Sequence, residues 1–221
     1  MEKEIKTASG ELYTSIKERI INGYYFPGVH LVETDLIEEF SYSRSTIREA
    51  LRRLVNDGIV ELIPHRGVRV RKLTTKEIID LYQVMEYLEG LAARIVAVSR
   101  DLSIIKELEN TLEENAKAID NNDFELHCSL VQEFHNKIVN YTGNRELINT
   151  VERTHLLTSI HYVKNSLEGR MKESLQNHRK MLDAIIAHDA DLAESIMRKH
   201  LTEGLEIIKN QLNRKTQQIT T

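Results

Sequence analysis

A single cysteine, Cys128, leaves the chain unable to form an internal disulfide, and a reducing cytoplasm is the expected compartment. Proline occurs twice and glycine nine times, too rarely to interrupt long helices. No apolar run approaches the roughly 20 residues that cross a bilayer. The opening Met1-Glu2-Lys3-Glu4-Ile5-Lys6 also lacks the apolar stretch of a secretory signal. There is no Gly/Ser linker and no short-period repeat. These shortages exclude a disulfide scaffold and argue against any membrane partner. What is present is 221 residues, 41% apolar and 29% charged, an ordinary globular balance with length enough for two cores.

A net charge of −4 looks wrong for a protein that meets a polyanion, until the charges are located. Between Arg44 and Lys72 stand eight basic residues (Arg44, Arg48, Arg52, Arg53, Arg66, Arg69, Arg71 and Lys72) against three acidic ones, Glu49, Asp57 and Glu61. That stretch carries +5 and leaves −9 for the rest. A basic patch on an acidic body suits a dedicated nucleic-acid face.

The spacing predicts a helix over 8–23, with Leu12, Ile16, Ile20 and Ile21 on one face and Gly23 at its end. Tyr24-Tyr25-Phe26-Pro27-Gly28 reads as a turn. A short helix over 33–40 presents Leu36, Ile37 and Phe40, and Ser41-Tyr42-Ser43 breaks it. Ser43 is placed to cap the next helix, Arg44 to Asp57, whose apolar stripe is Ile47, Ala50, Leu51 and Leu54, with Gly58 to close it. Alternation then takes over: Val60 and Leu62, then Val68 and Val70, bracket Pro64-His65-Arg66-Gly67 as a hairpin. Residues 1–72 therefore read as a winged helix-turn-helix.

From Thr74 onward the pattern is helical. Thr74 and Glu77 form a capping box that opens a helix to about Ser99. Others follow over 102–120, 124–141, 145–165, 170–187 and 190–213, with Asp123, Asn144 and Asp189 as N-caps. Residues 73–221 read as an antiparallel all-α six-helix bundle, and the chain as a mainly α protein.

A short helix, a tight turn and a helix opening Arg44-Ser45-Thr46-Ile47-Arg48 match the layout in which the second helix enters the DNA major groove N-terminus first. Free N–H groups and partial positive charge at that terminus suit a phosphate. Arg44 and Arg48, one turn apart, are the type of side chain that reads guanine bidentately, and Ser45 and Thr46 are short donors. Arg52 and Arg53 fall towards the flanking backbone, with His65, Arg66 and Gly67 at the wing tip. The plainer alternative pairs Arg52 and Arg53 with Glu49 and Asp57 on a surface helix.

In the bundle, His135, His178 and His200 each lie on the apolar stripe of a different helix. One buried imidazole is unremarkable, but three call for a shared partner, since each needs hydrogen bonds or a metal. Three neutral imidazoles with an open position form a known Zn²⁺ arrangement. His155, Thr158 and Tyr162 share a helix face and complete a candidate effector pocket, with His127, His161 and Arg170 as further polar residues.

Residues 20–70 resemble the DNA-binding domain of the GntR family. The resemblance is carried by Gly23, Pro27-Gly28, Leu31, Ser43-Arg44, Ile47-Arg48-Glu49-Ala50-Leu51, Leu54, Asp57-Gly58, Pro64-His65-Arg66-Gly67 and Val70. It implies DNA contacts at Arg44, Ser45, Thr46, Arg48, His65 and Gly67, and a homodimer on a pseudo-palindromic double-stranded operator. Residues 74–209 resemble the FCD sensing domain of the FadR-like subgroup, through Leu81-Tyr82, Leu88-Glu89, Ala92-Ala93, Phe134-His135, Gly143-Asn144, His178, Leu182 and His200-Leu201. Many members hold a divalent metal with an Asp one turn before the first of three histidines. The histidines correspond to His135, His178 and His200, while Val131 stands at the Asp position and Met85 where many members place a pocket arginine. One divalent ion, Zn²⁺, Ni²⁺ or Mn²⁺, completed by water or an effector oxygen, and a metal-free, more apolar pocket are both compatible with those departures.

The function expected is a transcription regulator, a repressor, whose operator affinity is controlled by a small-molecule effector in the bundle. The competing reading is a metal-dependent hydrolase built on the three histidines. It lacks a general base of the H-E-x-x-H kind and leaves the 44–72 element unexplained.

Overall fold

The computed structural model describes residues 7–64, 66–99, 101–160 and 170–219, the last nine of these by backbone alone. His65, His161 and Tyr162, singled out above, lie outside the described residues. The chain divides into two compact units, Met1–Thr74 with His155–Tyr162, and Thr75–Thr154 with Val163–Thr221.

The first unit begins with α1 (Ala8–Ile21), which the Thr7 hydroxyl opens by accepting from Gly10 N–H. Gly23, at φ 77°, supplies the left-handed residue that ends it, two residues earlier than the sequence spacing suggests. Next come β1 (His30–Leu31), α2 (Glu33–Phe40), α3 (Arg44–Asn56), β2 (Val60–Ile63) and β3 (Gly67–Val70). Leu12, Ile16 and Ile20 of α1 pack with Leu36 of α2 and with Ile47, Ala50, Leu51 and Leu54 of α3, all buried. Each fully buried aliphatic side chain contributes roughly 1.5–3 kcal/mol, so this wedge is what fixes α3 against its neighbours.

The expected hairpin is present, with Val60 opposite Val70 and Ile63 opposite Gly67. Sequence reasoning missed β1, which pairs antiparallel to β3 (His30 opposite Arg69) and makes the sheet three-stranded in the order β1-β3-β2. A two-residue strand is too short to show any alternation.

Six further helices follow among the described residues: α4 (Thr75–Ser99), α5 (Leu102–Asp120), α6 (Phe124–Tyr141), α7 (Arg145–Ser159), α8 (Met171–Ile186) and α9 (Ala190–Ile219), all in the second unit except the end of α7 from His155. Asp123, Asn144 and Asp189 each accept from a backbone N–H three residues on, as capping chemistry expects. Asp101 caps α5 in the same manner, accepting from Ser103 N–H at 2.8 Å. The core joins Ala92, Ala93 and Val96 of α4 to Leu108 of α5, Phe134 and Ile138 of α6, Met181 and Ile185 of α8, and Met197 of α9. Gly90 lets α4 and α9 approach closely, because a Cβ there would lie 2.7 Å from Arg198 Cγ. No helix among the described residues is long and apolar enough to cross a membrane.

Candidate functional sites: a DNA-reading helix and a buried histidine cluster

The first site is the N-terminal half of α3. Ser41, at φ 57°, turns the chain out of α2, and Ser43 caps α3 by accepting from Thr46 N–H at 3.3 Å. The hydroxyls of Ser45 and Thr46 lie 2.9 and 2.8 Å from that of Ser43, so three small hydroxyls cluster where the helix presents its free N–H groups. Arg44 and Arg48 project from the same face into solvent. Arg44, Arg52 and Arg66 form no ion pair among the described residues.

Arg48 differs from them. Its Nε–H points at both carboxylate oxygens of Glu33, at 2.9 and 3.0 Å, and that carboxylate raises the guanidinium pKa further. Arg53 does not pair with Asp57. Its guanidinium lies over the Tyr13 ring, 4.5 Å from the centroid, and the Tyr13 hydroxyl donates to Asp57. Burial, followed by the Asp57 hydrogen bond and charge, pushes the Tyr13 phenol well above its ordinary pKa. On the wing, Arg66 and Gly67 are exposed, and Arg69 holds Glu61 at 2.5 Å.

The second site lies inside the helical unit. His135 on α6, His178 on α8 and His200 on α9 converge, with one ring nitrogen from each within 4.8 Å of the others. His178 is fully buried, and its Nε2 lies 3.1 Å from that of His135 and 3.2 Å from that of His200. The Phe134 ring lies against His178, with centroids 4.8 Å apart. On the far side of His135, Nδ1 sits 2.6 Å from Oε2 of Glu89, a completely buried carboxylate on α4. A carboxylate at Nδ1 makes that nitrogen the N–H donor and leaves Nε2 as a bare lone pair facing the other two rings.

Burial first, and then the charges of His200, His135 and His127, hold the His178 pKa well below its ordinary value. His200 is pushed down to about 3 by burial and by His135, against the opposing pull of Glu89. Both are neutral imidazoles at physiological pH. Neutral rings cannot satisfy one another here, because at most one proton can sit between two facing nitrogens, and His178 Nδ1 has no partner among the described residues. Metal–nitrogen bonds of about 2.0–2.1 Å at a tetrahedral ion put ligand nitrogens about 3.3 Å apart. Two of the three nitrogen–nitrogen separations, 3.1 and 3.2 Å, match this spacing, so the residues present fit a divalent ion.

Of the other positions singled out in the sequence, Met85 is buried and Val131 half-buried one turn before His135. His155 and Thr158 fall in the first compact unit, where the Thr158 hydroxyl bonds the His155 carbonyl at 3.0 Å. A shared helix face is legible in sequence, but which core that face packs on is not. Glu89 was missed, although a lone carboxylate at the stripe Met85, Ala92, Ala93, Val96 is a readable signal. His127 proves buried, its Nδ1 at 2.6 Å from Asn115 Oδ1.

Comparison with known proteins places each unit's sequence in a family. Residues 8–70 match the family described as bacterial regulatory proteins, gntR family, and residues 80–203 match the FCD domain. The chain is 32% identical over 207 residues to an uncharacterized HTH-type transcriptional regulator, YdhC, of Bacillus subtilis, covering 91% of each. It is 24% identical to a probable D-xylose utilization operon transcriptional repressor of Paenarthrobacter nicotinovorans, covering 90% of this chain and 88% of that one. Among solved structures, E. coli McbR/YncC superposes with a TM-score of 0.81 at 19% identity, over 94% of this chain and 100% of that one. The relatives are transcription regulators rather than enzymes, which removes the hydrolase reading. The chain is a DNA-binding transcription regulator of the GntR family with an FCD domain.

Proposed function

We propose that this regulator is a repressor whose hold on a pseudo-palindromic operator is set by one divalent ion, and by a small-molecule effector that completes the ion's coordination, in the FCD domain. The observation that carries the reading is the convergence of His135, His178 and His200 with Nε2 atoms 3.1 and 3.2 Å apart. Zn²⁺, Ni²⁺ or Mn²⁺ would be held there by the three imidazoles, with Glu89 fixing the orientation of His135. When bound, the ion supplies a Lewis-acid position that accepts an effector oxygen. Met85, buried, and Val131, half-buried, would give an effector pocket there an apolar lining.

On the operator side, Arg44 and Arg48 read base edges and Ser45 and Thr46 take phosphate or base oxygens, while Arg52, Arg53, Arg66 and Gly67 track the backbone. A homodimer fits an apolar line on α4, where Val84, Tyr87, Leu91 and Val98 recur at helical spacing on one exposed face. The domain boundary we assign lies between Lys72 and Leu73. Effector coupling in the usual range of about 1–3 kcal/mol changes operator affinity roughly 5–150-fold.

Metal content decides the central point. Chain purified without chelator should carry close to one ion, and its affinity for duplexes selected from its own chromosome should change when that ion is stripped and return when it is restored. A metal-free chain whose binding and melting ignore added Zn²⁺, Ni²⁺ and Mn²⁺ would sink the reading.

A further inference from the structure

We infer that Glu33 is a positioning residue for DNA reading: it holds Arg48 by the edge that would otherwise grip phosphate and leaves free the edge that reads guanine. The inference rests on α3 being the base-reading helix.

Glu33 is the first residue of α2, and Arg48 lies fifteen positions later on α3. The packing of α2 on α3 and the left-handed turn at Ser41 fix the distance between their backbones. The contact is specific in form. Arg48 Nε–H meets both Glu33 oxygens, at 2.9 and 3.0 Å, while its two terminal nitrogens make no hydrogen bond among the described residues. Arg69 engages Glu61 differently, through Nε and Nη2 together, and Arg198 engages Glu86 in that same side-on manner. Those two grips spend Nε–H and one Nη2–H on the carboxylate, whereas Arg48 spends only Nε–H; its end-on pair on Nη1 and Nη2 stays open for a base.

That difference matters for DNA. A guanidinium grips a carboxylate or phosphate with a fork of two parallel N–H bonds. With Glu33 on Nε, the side-on fork of Arg48 is closed to phosphate, and the end-on pair remains for guanine O6 and N7. Arginine also loses rotamer freedom on docking, and a side chain already held loses less.

Stability does not account for the pair. The Arg48 and Glu33 side chains are 55% and 36% exposed, and such ion pairs contribute little. Placing a carboxylate beside a surface that must approach phosphates also opposes non-specific binding. Glu33 therefore works in two directions at once, weakening attraction to any duplex while sharpening the response to sequence.

The test uses the full chain and a pool of random-sequence duplexes, selected in parallel with wild type, Glu33→Gln, Glu33→Asp and Arg48→Ala. Wild type should select a guanine that Arg48→Ala no longer selects. Glu33→Gln should lose preference at that same position, roughly tenfold, with preferences elsewhere intact. Its affinity for an unselected duplex should rise several-fold, with a salt slope steeper by about one ion. Glu33→Asp should recover part of the discrimination. Unchanged preference in Glu33→Gln, or an even loss at every position and on unselected DNA, overturns the role of Glu33 while leaving α3 as the reader. If Arg48→Ala itself selects the wild-type sequence, the base-reading assignment of Arg48 fails, and the inference fails with it.

Discussion

Replacing His178 with leucine separates a metal-binding cluster from a merely buried one. His178 is fully buried, sits between the Nε2 atoms of His135 and His200, and carries an Nδ1 with no partner among the described residues. In the metal-free protein, removing that unpaired ring nitrogen recovers about 1–3 kcal/mol. Against this stand the lost contact with Phe134, about 0.5–1.5 kcal/mol, and one shared hydrogen bond, about 1 kcal/mol. The two sides nearly cancel, so His178→Leu in chelator should melt within about 3 °C of wild type, at roughly 2–4 °C per kcal/mol for a chain of this size. With Zn²⁺ at a hundred times its Kd, wild type gains about 2.7 kcal/mol, roughly 5–10 °C, and the variant gains little. The assay is thermal unfolding followed by the helical circular dichroism signal, with and without ion. Equal zinc shifts in both proteins would place the ion elsewhere, and a variant that melts far lower in chelator would refute the balance of terms.

Acid should destabilise the metal-free chain. His178 and His200 are both held below the ordinary histidine pKa, so the unfolded chain binds more protons than the native one below about pH 6.5. Stability is full above that value and falls as the pH drops towards 3. The loss is about 2–3 kcal/mol by pH 5.5, at ~1.4 kcal/mol per unit for each ring, measurable by urea unfolding at two pH values. In the first unit, Leu54→Ala opens a cavity in a fully buried position and should cost about 2–5 kcal/mol. DNA binding should weaken at 37 °C and recover at lower temperature. Arg52, exposed and without an ion pair among the described residues, should when changed to alanine reduce the salt slope of DNA binding by about one while leaving sequence preference unchanged.

Local signals in this chain carry far. Ser43, Asp123, Asn144 and Asp189 are read as caps because a short side-chain acceptor must lie within three residues of the N–H it satisfies, and all four do so. The hairpin register about Pro64–Gly67 follows from alternation, and the burial of Ile47, Ala50, Leu51 and Leu54 from helical period. The last helix is different: the apolar pattern ends near residue 213, while the backbone stays helical to Ile219. Helical hydrogen bonding continues without an apolar face, so period alone does not mark that end.

What the amino-acid order determined by itself is whatever depends on neighbours within one or two turns: helices, caps, the hairpin, and the placement of three histidines on apolar faces. Only the tertiary structure decided that those histidines share one point, that Glu89 braces His135, that Glu33 reaches Arg48, and that Arg53 turns to Tyr13 rather than Asp57. It also placed His155 and Thr158 with the first unit. The reason is physical. A helix repeats every 3.6 residues and so advertises its faces, but which faces meet, and in what rotation, depends on side-chain packing between segments as far apart in sequence as Glu86 and Arg198.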